Sequence, residues 1–137
     1  MECIGNKGRD MKATILIVED HENVRFLLHD FLKGAFPGCR FLEAKNGEEA
    51  VTLATLHSPD IVLMDIGLPK MNGIEATRCI KDALPRTHVI IVTNHEAIEY
   101  KKEAAIAGAS AYVLKNRMYT ELVPVLMELF SHLRVSS

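Results

Sequence analysis

The stretch Ile61-Val62-Leu63-Met64-Asp65-Ile66-Gly67-Leu68-Pro69 decides how the rest of the chain is read. Four apolar residues run without alternation into one carboxylate, and a turn through Leu68-Pro69 follows. A strand reads this way when both its faces are buried, as in a parallel sheet covered by helices. Asp65 then stands where such a strand ends.

The same texture recurs on both sides. Ile15-Leu16-Ile17-Val18 and Val89-Ile90-Ile91-Val92 are equally unbroken. With two weaker runs, the predicted strands are Thr14–Val18, Cys39–Ala44, Asp60–Met64, Thr87–Val92 and Ser110–Leu114. The segments between them have helical spacing. One apolar stripe is Val24, Leu27, Leu28, Phe31 and Leu32; the next is Ala50, Leu53, Ala54 and Leu56. Ile74, Thr77, Ile80 and Leu84 form a third, and Leu122, Val125, Leu126, Leu129 and Leu133 the last. Asn46-Gly47 and Asn72-Gly73 open the second and third helices, and Gly108 closes the fourth. The order is βα five times over, which implies right-handed crossovers and an open, doubly wound α/β sheet. Sites in such sheets form at the carboxyl ends of the strands.

Glu19 and Asp20 follow the first strand, Asp65 the third, Thr93 the fourth and Lys115 the fifth. Each has a plain reading of its own. Asp20 suits a helix N-cap, Asp65 a turn, Thr93 a strand, and Lys115 a solvated strand end. As a set they do more. Three carboxylates on one concave edge repel one another by several kcal/mol per pair at ~4 Å. A hard divalent cation removes that cost, and Mg²⁺ favours a few carboxylates, waters and a phosphate oxygen. A carboxylate can attack phosphorus to form an acyl phosphate, given in-line positioning and neutralised oxygens. The expected roles are Asp65 as nucleophile, Glu19 and Asp20 at the metal, Thr93 donating to the phosphoryl group and Lys115 as charge partner.

With these residues in view, the chain resembles the receiver domain of two-component response regulators over about Lys12 to Arg134, and the domain itself is placed at residues 13–134. The resemblance rests on Ile17-Val18-Glu19-Asp20, Val62 through Pro69, Met71-Asn72-Gly73-Ile74-Glu75-Ala76, Thr93, and Tyr112-Val113-Leu114-Lys115. Leu68 to Thr77 is similar to receivers that carry a helix-turn-helix effector. The resemblance implies a flavodoxin-like sheet of order 2-1-3-4-5 and a sensor histidine kinase or phosphotransfer protein as phosphodonor. It implies that the Gly67 carbonyl completes a Mg²⁺ site. It implies that Tyr112 turns inward as Thr93 moves to the phosphoryl group, with the fourth helix, fifth strand and fifth helix as output surface. A homodimer through that surface, with Met127 and Phe130 exposed on it, also belongs to this expectation, as does a cytoplasmic location.

Four departures carry expectations of their own. Asn94 stands where the family has a small residue, which predicts slower phosphodonor access. Asn116 replaces the usual proline after Lys115, so the Lys115–Asn116 bond is expected to be trans. Gly67 offers no side chain to orient or block water. Pro124 lies inside the last stripe, where a start or a bend of the helix is expected. The fourth helix, Glu96 to Ala107, is Ala-rich, with Ile98 and Ile106 as its expected apolar anchors and a low cost of displacement.

Composition excludes several classes. At net charge -2 and pI about 6.3 the chain lacks the basic footprint of a nucleic-acid binder. Cys3, Cys39 and Cys79 are odd in number and form no C-x-x-C pair, which argues against disulfides or a zinc ribbon. No apolar run is long enough for a membrane span. Residues 1–12 read as a disordered tail, with Met11 as a second start, and 135–137 as a polar tail or linker start, which leaves a stand-alone regulator and a receiver cut from an effector both open. A haloacid-dehalogenase phosphatase needs a second Asp where Gly67 stands. A flavodoxin-like cofactor binder would find its phosphate repelled by Glu19-Asp20. A metal hydrolase finds no H-E-x-x-H among the six His. The remaining rival is a pseudo-receiver, an interaction module that works without phosphorylation.

Overall fold

The computed structural model describes residues 11–136, with side chains through 133. Five strands alternate with five helices: β1 Thr14–Val18, α1 Glu22–Ala35, β2 Arg40–Ala44, α2 Gly47–His57, β3 Ile61–Met64, α3 Gly73–Ala83, β4 His88–Thr93, α4 Ile98–Ala107, β5 Ala111–Leu114 and α5 Met118–Ser136. A short 3₁₀ turn, Lys115–Arg117, joins β5 to α5. All strand pairs are parallel, in the order β2-β1-β3-β4-β5. The expected α/β class and strand order are therefore what the chain adopts.

Strand side chains alternate between faces, and the two faces build two cores. Ile15, Ile17, Ile61, Leu63, Ile90 and Val92 meet α1 and α5 through Leu28, Leu32, Leu122, Leu126 and Phe130. Leu16, Val18, Val62, Met64, Val89 and Ile91 meet α2, α3 and α4 through Ala50, Ala54, Ile74, Ile80, Ala104 and Ala107. Double coverage is why the three central runs are unbroken: β1, β3 and β4 are buried along nearly their whole length.

The helix punctuation works as read. Asn46 and Asn72 cap α2 and α3 by accepting the N–H groups of Glu49 and Glu75 at 2.7 and 2.9 Å. Gly108 ends α4 at φ 107, where a Cβ would be strained. The N-cap of α1 is His21 rather than Asp20, and its side chain makes no capping bond, so the Asp20 carboxylate is not used as a cap.

Several sequence expectations need correction. Leu27 and Leu56 are exposed, at 52% and 70%, because a helix on a sheet buries one narrow stripe and the neighbouring position lies ~100° away. Ile98 and Ile106 are exposed too, at 58% and 81%; Ala104 and Ala107 anchor α4 instead. Small residues let α4 lie close to the sheet and push the larger side chains outward. Phe130 is buried edge-on against Phe36, with ring centres 5.1 Å apart, and Met127 packs partly into the same core. Neither offers the exposed dimer surface expected of it. Pro124 neither starts α5 nor ends it; the helix runs from Met118 through Ser136, into the stretch read as a polar tail. Residues 1–10 and 137 of the expected tails lie outside the described residues, but Met11 packs against the core and its carbonyl accepts the Cys39 thiol. Thr93 closes β4 rather than following it. No cis peptide bond occurs among the described residues, so Lys115–Asn116 is trans, as expected.

Among the described residues, no helix is long and apolar enough to cross a membrane.

Candidate functional site: an acidic pocket at the carboxyl edge of the sheet

The pairing of β1 with β3 aligns Val18 with Met64, so the residues just beyond, Glu19 and Asp65, emerge side by side. Backbone bonds lock both. The Glu19 amide donates to the Ala44 carbonyl at 3.0 Å, and the Asp65 amide to the Val18 carbonyl at 3.2 Å. Both carboxylates are almost fully buried, at 2% and 6% exposure, which demands compensation. Lys115 supplies it. Its Nζ stands 2.7 Å from Glu19 Oε1 and 3.0 Å from Asp65 Oδ2. Burial of the ammonium works against its charge, but the hydrogen bonds it donates to Glu19 and Asp65 outweigh that and hold the Lys115 pKa above its ordinary value. The Gly67 amide donates to Asp65 Oδ1 at 3.2 Å.

The remaining Glu19 oxygen, Oε2, receives the His21 backbone N–H at 3.0 Å and faces His21 Nδ1 at 3.2 Å. Nδ1 is equally close to Asp20 Oδ1, yet no hydrogen bond forms there; one ring N–H serves one carboxylate well. Asp20 Oδ1 is thus shielded from solvent without a hydrogen-bond partner. Arg25 braces the loop by donating to the Glu19 carbonyl at 2.7 Å and to Glu43 Oε1 at 3.1 Å.

Thr93 is fully buried, and its hydroxyl faces the His95 amide at 3.4 Å. Tyr112 lies half-buried and donates its phenol O–H to the His95 carbonyl at 2.8 Å. Burial, then Tyr100 and then the Asp65 charge push the phenol pKa up. The fold therefore gathers Glu19, Asp65 and Lys115 into one direct cluster, joins Asp20 to it through His21, and sets Thr93 and Tyr112 at the adjoining β4–α4 loop.

Sequence reasoning passed over four neighbours. His21 and Arg25 were invisible because their contacts depend on the course of the β1–α1 loop. His95 lies beside Gly67: a Cβ there would meet His95 Nε2 at 3.4 Å, an ordinary contact, so the ring borders the site. Gly73 was read only as a helix start. A Cβ at Gly73 would overlap the Asp65 carbonyl oxygen and crowd the Ile66 Cα. The α3 N-terminus is pressed onto the strand end, and the Gly73 amide donates to the Ile66 carbonyl at 3.0 Å. Gly73→Ala is therefore expected to lower stability by about 1–3 kcal/mol through overpacking and to perturb the amide signals of Asp65 and Ile66. Denaturant unfolding together with a ¹H–¹⁵N spectrum checks both; unchanged stability would mean that the contact yields easily.

The donor atoms of Glu19, Asp20 and His21 lie within 4.8 Å of one another. Three carboxylates and one shielded, unpartnered oxygen suit a divalent cation of the Mg²⁺ kind, which takes oxygen ligands and reaches few of them from the protein. Asp20 is the freest ligand, since Glu19 is already engaged by Lys115 and His21.

A parallel sheet with buried carboxylates, a lysine and a hydroxyl at its carboxyl edge defines the class of receiver-type regulatory domains. The family model for the response regulator receiver domain matches residues 15–126, and the chain belongs to that family. It is 40% identical over 105 residues to the chemotaxis protein CheY of Halobacterium salinarum, covering 77% of this chain and 86% of that protein. It is 41% identical over 81 residues to the transcriptional regulatory protein YxjL of Bacillus subtilis, covering 59% of this chain but only 37% of that protein. A crystal structure of a LuxR-family two-component response regulator from an Aurantimonas species superposes with TM-score 0.83 at 35% identity, covering 89% of this chain and 87% of that one. The chain is thus a two-component signal-transduction domain, regulatory in kind.

Proposed function

We propose that this domain is a phosphorylation-driven switch that accepts a phosphoryl group on Asp65 from a sensor histidine kinase or phosphotransfer protein in the cytoplasm. The observation that carries the reading is the pairing of Asp65, buried at a strand end, with Lys115 at 3.0 Å. An Asp65 carboxylate oxygen attacks the donor's phosphorus as the donor's P–O or P–N bond breaks. The product is an acyl phosphate on Asp65 and the released donor group. Lys115, already bound to Asp65, meets the charge of the incoming phosphoryl oxygens. Asp20, Asp65 and the Gly67 carbonyl would hold Mg²⁺, with Glu19 behind them; bound Mg²⁺ supplies positive charge to the phosphoryl oxygens. Thr93 would give its hydroxyl hydrogen to one of those oxygens. That move disturbs the His95 loop, which Tyr112 holds through the His95 carbonyl. The α4–β5–α5 face, with Ile98 and Ile106 exposed, carries the output.

Incubation with Mg²⁺ and acetyl phosphate, followed by intact-mass measurement, tests this. The mass is expected to rise by one phosphoryl group, and not to rise when EDTA replaces Mg²⁺. No rise with either acetyl phosphate or a phosphorylated kinase partner would leave the domain a phosphorylation-independent interaction module.

A further inference from the structure

The β1–α1 loop places an imidazole among the carboxylates of the pocket. His21 Nδ1 is 3.2 Å from both Glu19 Oε2 and Asp20 Oδ1. A metal with bonds of ~2.1 Å holds neighbouring donors ~3 Å apart. His21 Nδ1 thus stands from each carboxylate oxygen at the spacing of neighbouring donors in one coordination sphere, and the donor atoms of the three residues lie within 4.8 Å of one another. Asp20 Oδ1, which has no hydrogen-bond partner, is the second sign that something cationic belongs there.

The imidazole is free to change its role. Glu19 Oε2 accepts two hydrogen bonds from His21, one from the ring and one from the backbone N–H at 3.0 Å. If the ring lets go, the backbone bond stays and Lys115 still holds Oε1. The His21 side chain is 72% exposed, so its Nε2 can carry the ring proton toward water while Nδ1 presents a lone pair. Nothing in the core resists that exchange of tautomer.

We propose that His21 is a metal ligand of this pocket and gives it a preference for borderline divalent cations such as Ni²⁺ and Zn²⁺ over Mg²⁺. Mg²⁺ is hard and takes oxygen; imidazole nitrogen binds the later first-row metals far better. The carboxylates serve both kinds of ion, and the nitrogen serves only one. The domain then responds to the metal supply as well as to its phosphodonor, because a nitrogen-bound ion at Asp20 excludes Mg²⁺. The inference rests on the acidic pocket being the divalent-cation site.

Calorimetric titration of the unphosphorylated protein with Ni²⁺, and separately with Mg²⁺, tests it without any phosphorylation assay. Only the Ni²⁺ site that Mg²⁺ competes for is counted, which sets aside binding to other surface histidines. His21→Ala is expected to weaken that Ni²⁺ site by at least about tenfold and to leave Mg²⁺ affinity within about twofold. His21→Gln, which keeps a polar side chain of similar reach, is expected to do the same. Ni²⁺ affinity unchanged in both variants, or equal losses for Ni²⁺ and Mg²⁺, would overturn the role of His21. Asp20→Asn separates the two readings. It is expected to weaken both ions, and Mg²⁺ binding indifferent to it would mean that the pocket reading itself has failed.

Discussion

Asp65→Asn is expected to take up no phosphoryl group from acetyl phosphate and Mg²⁺ under conditions that label the unaltered protein. The carboxamide matches the carboxylate in shape and can still accept the Gly67 amide hydrogen, which lies 3.2 Å away. It is not a nucleophile toward phosphorus, and no second carboxylate has the same setting. Glu19 is held by Lys115 at 2.7 Å and by His21. Asp20 pairs with His21, and Lys115 pairs with Glu19 and Asp65 instead. The substitution should therefore remove the chemistry and leave the fold. Stability should stay within about 1 kcal/mol, because two effects oppose each other. One ion pair to Lys115 is lost, and one negative charge is removed from a crowded acidic pocket. Intact mass and urea unfolding read the two consequences separately. A mass gain in the variant equal to that of the unaltered protein would place the phosphoacceptor elsewhere.

Lys115→Met is expected to cost stability on a larger scale. The lysine is the counter-charge for two carboxylates whose side chains are only 3% and 8% exposed. Removing one partner of a buried ion pair strands the other charge, at a typical cost of about 3 kcal/mol or more. Methionine preserves much of the apolar stem, so the loss reports charge rather than packing. The pH dependence gives the sign. The Lys115 pKa is raised in the folded protein. Its contribution is therefore complete below the ordinary lysine value of ~10.4 and fades as pH rises through the higher folded value. The stability gap between the unaltered protein and Lys115→Met should be constant near neutrality and narrow above about pH 10.4. A gap that does not change up to pH 11 would assign the loss to packing instead.

The two predictions concern residues that the sequence picked out by position alone. Asp65 follows an unbroken apolar run, and Lys115 follows the last strand. Because a parallel strand buried on both faces must be apolar throughout, the first polar residue after it marks the sheet edge. That rule needs no long-range information, and it found Glu19, Asp20, Asp65 and Thr93; Lys115 was found only as the residue that follows the last strand, which is partly buried. Helix caps at Asn46, Asn72 and Gly108 were legible for a similar reason, since each is decided by backbone groups a few residues away.

Burial on the helices was less legible. Periodicity gives a face and not its width, so Leu27 and Leu56 looked like core residues and are exposed. In α4 the larger side chains were mistaken for anchors, because close approach to the sheet favours Ala104 and Ala107. Phe130 was read as surface, and only the packing of α5 against Phe36 turns it inward.

By itself, then, the sequence determined the α/β alternation, the strand ends and the set of chemically able residues, because these follow from local hydropathy and chain connectivity. The tertiary structure alone decided which of them touch. It put Lys115 between Glu19 and Asp65, left Asp20 Oδ1 without a hydrogen bond beside His21, and pressed Gly73 onto the Asp65 carbonyl. Those contacts join residues far apart in the chain or depend on the exact path of a loop, and no local pattern encodes either.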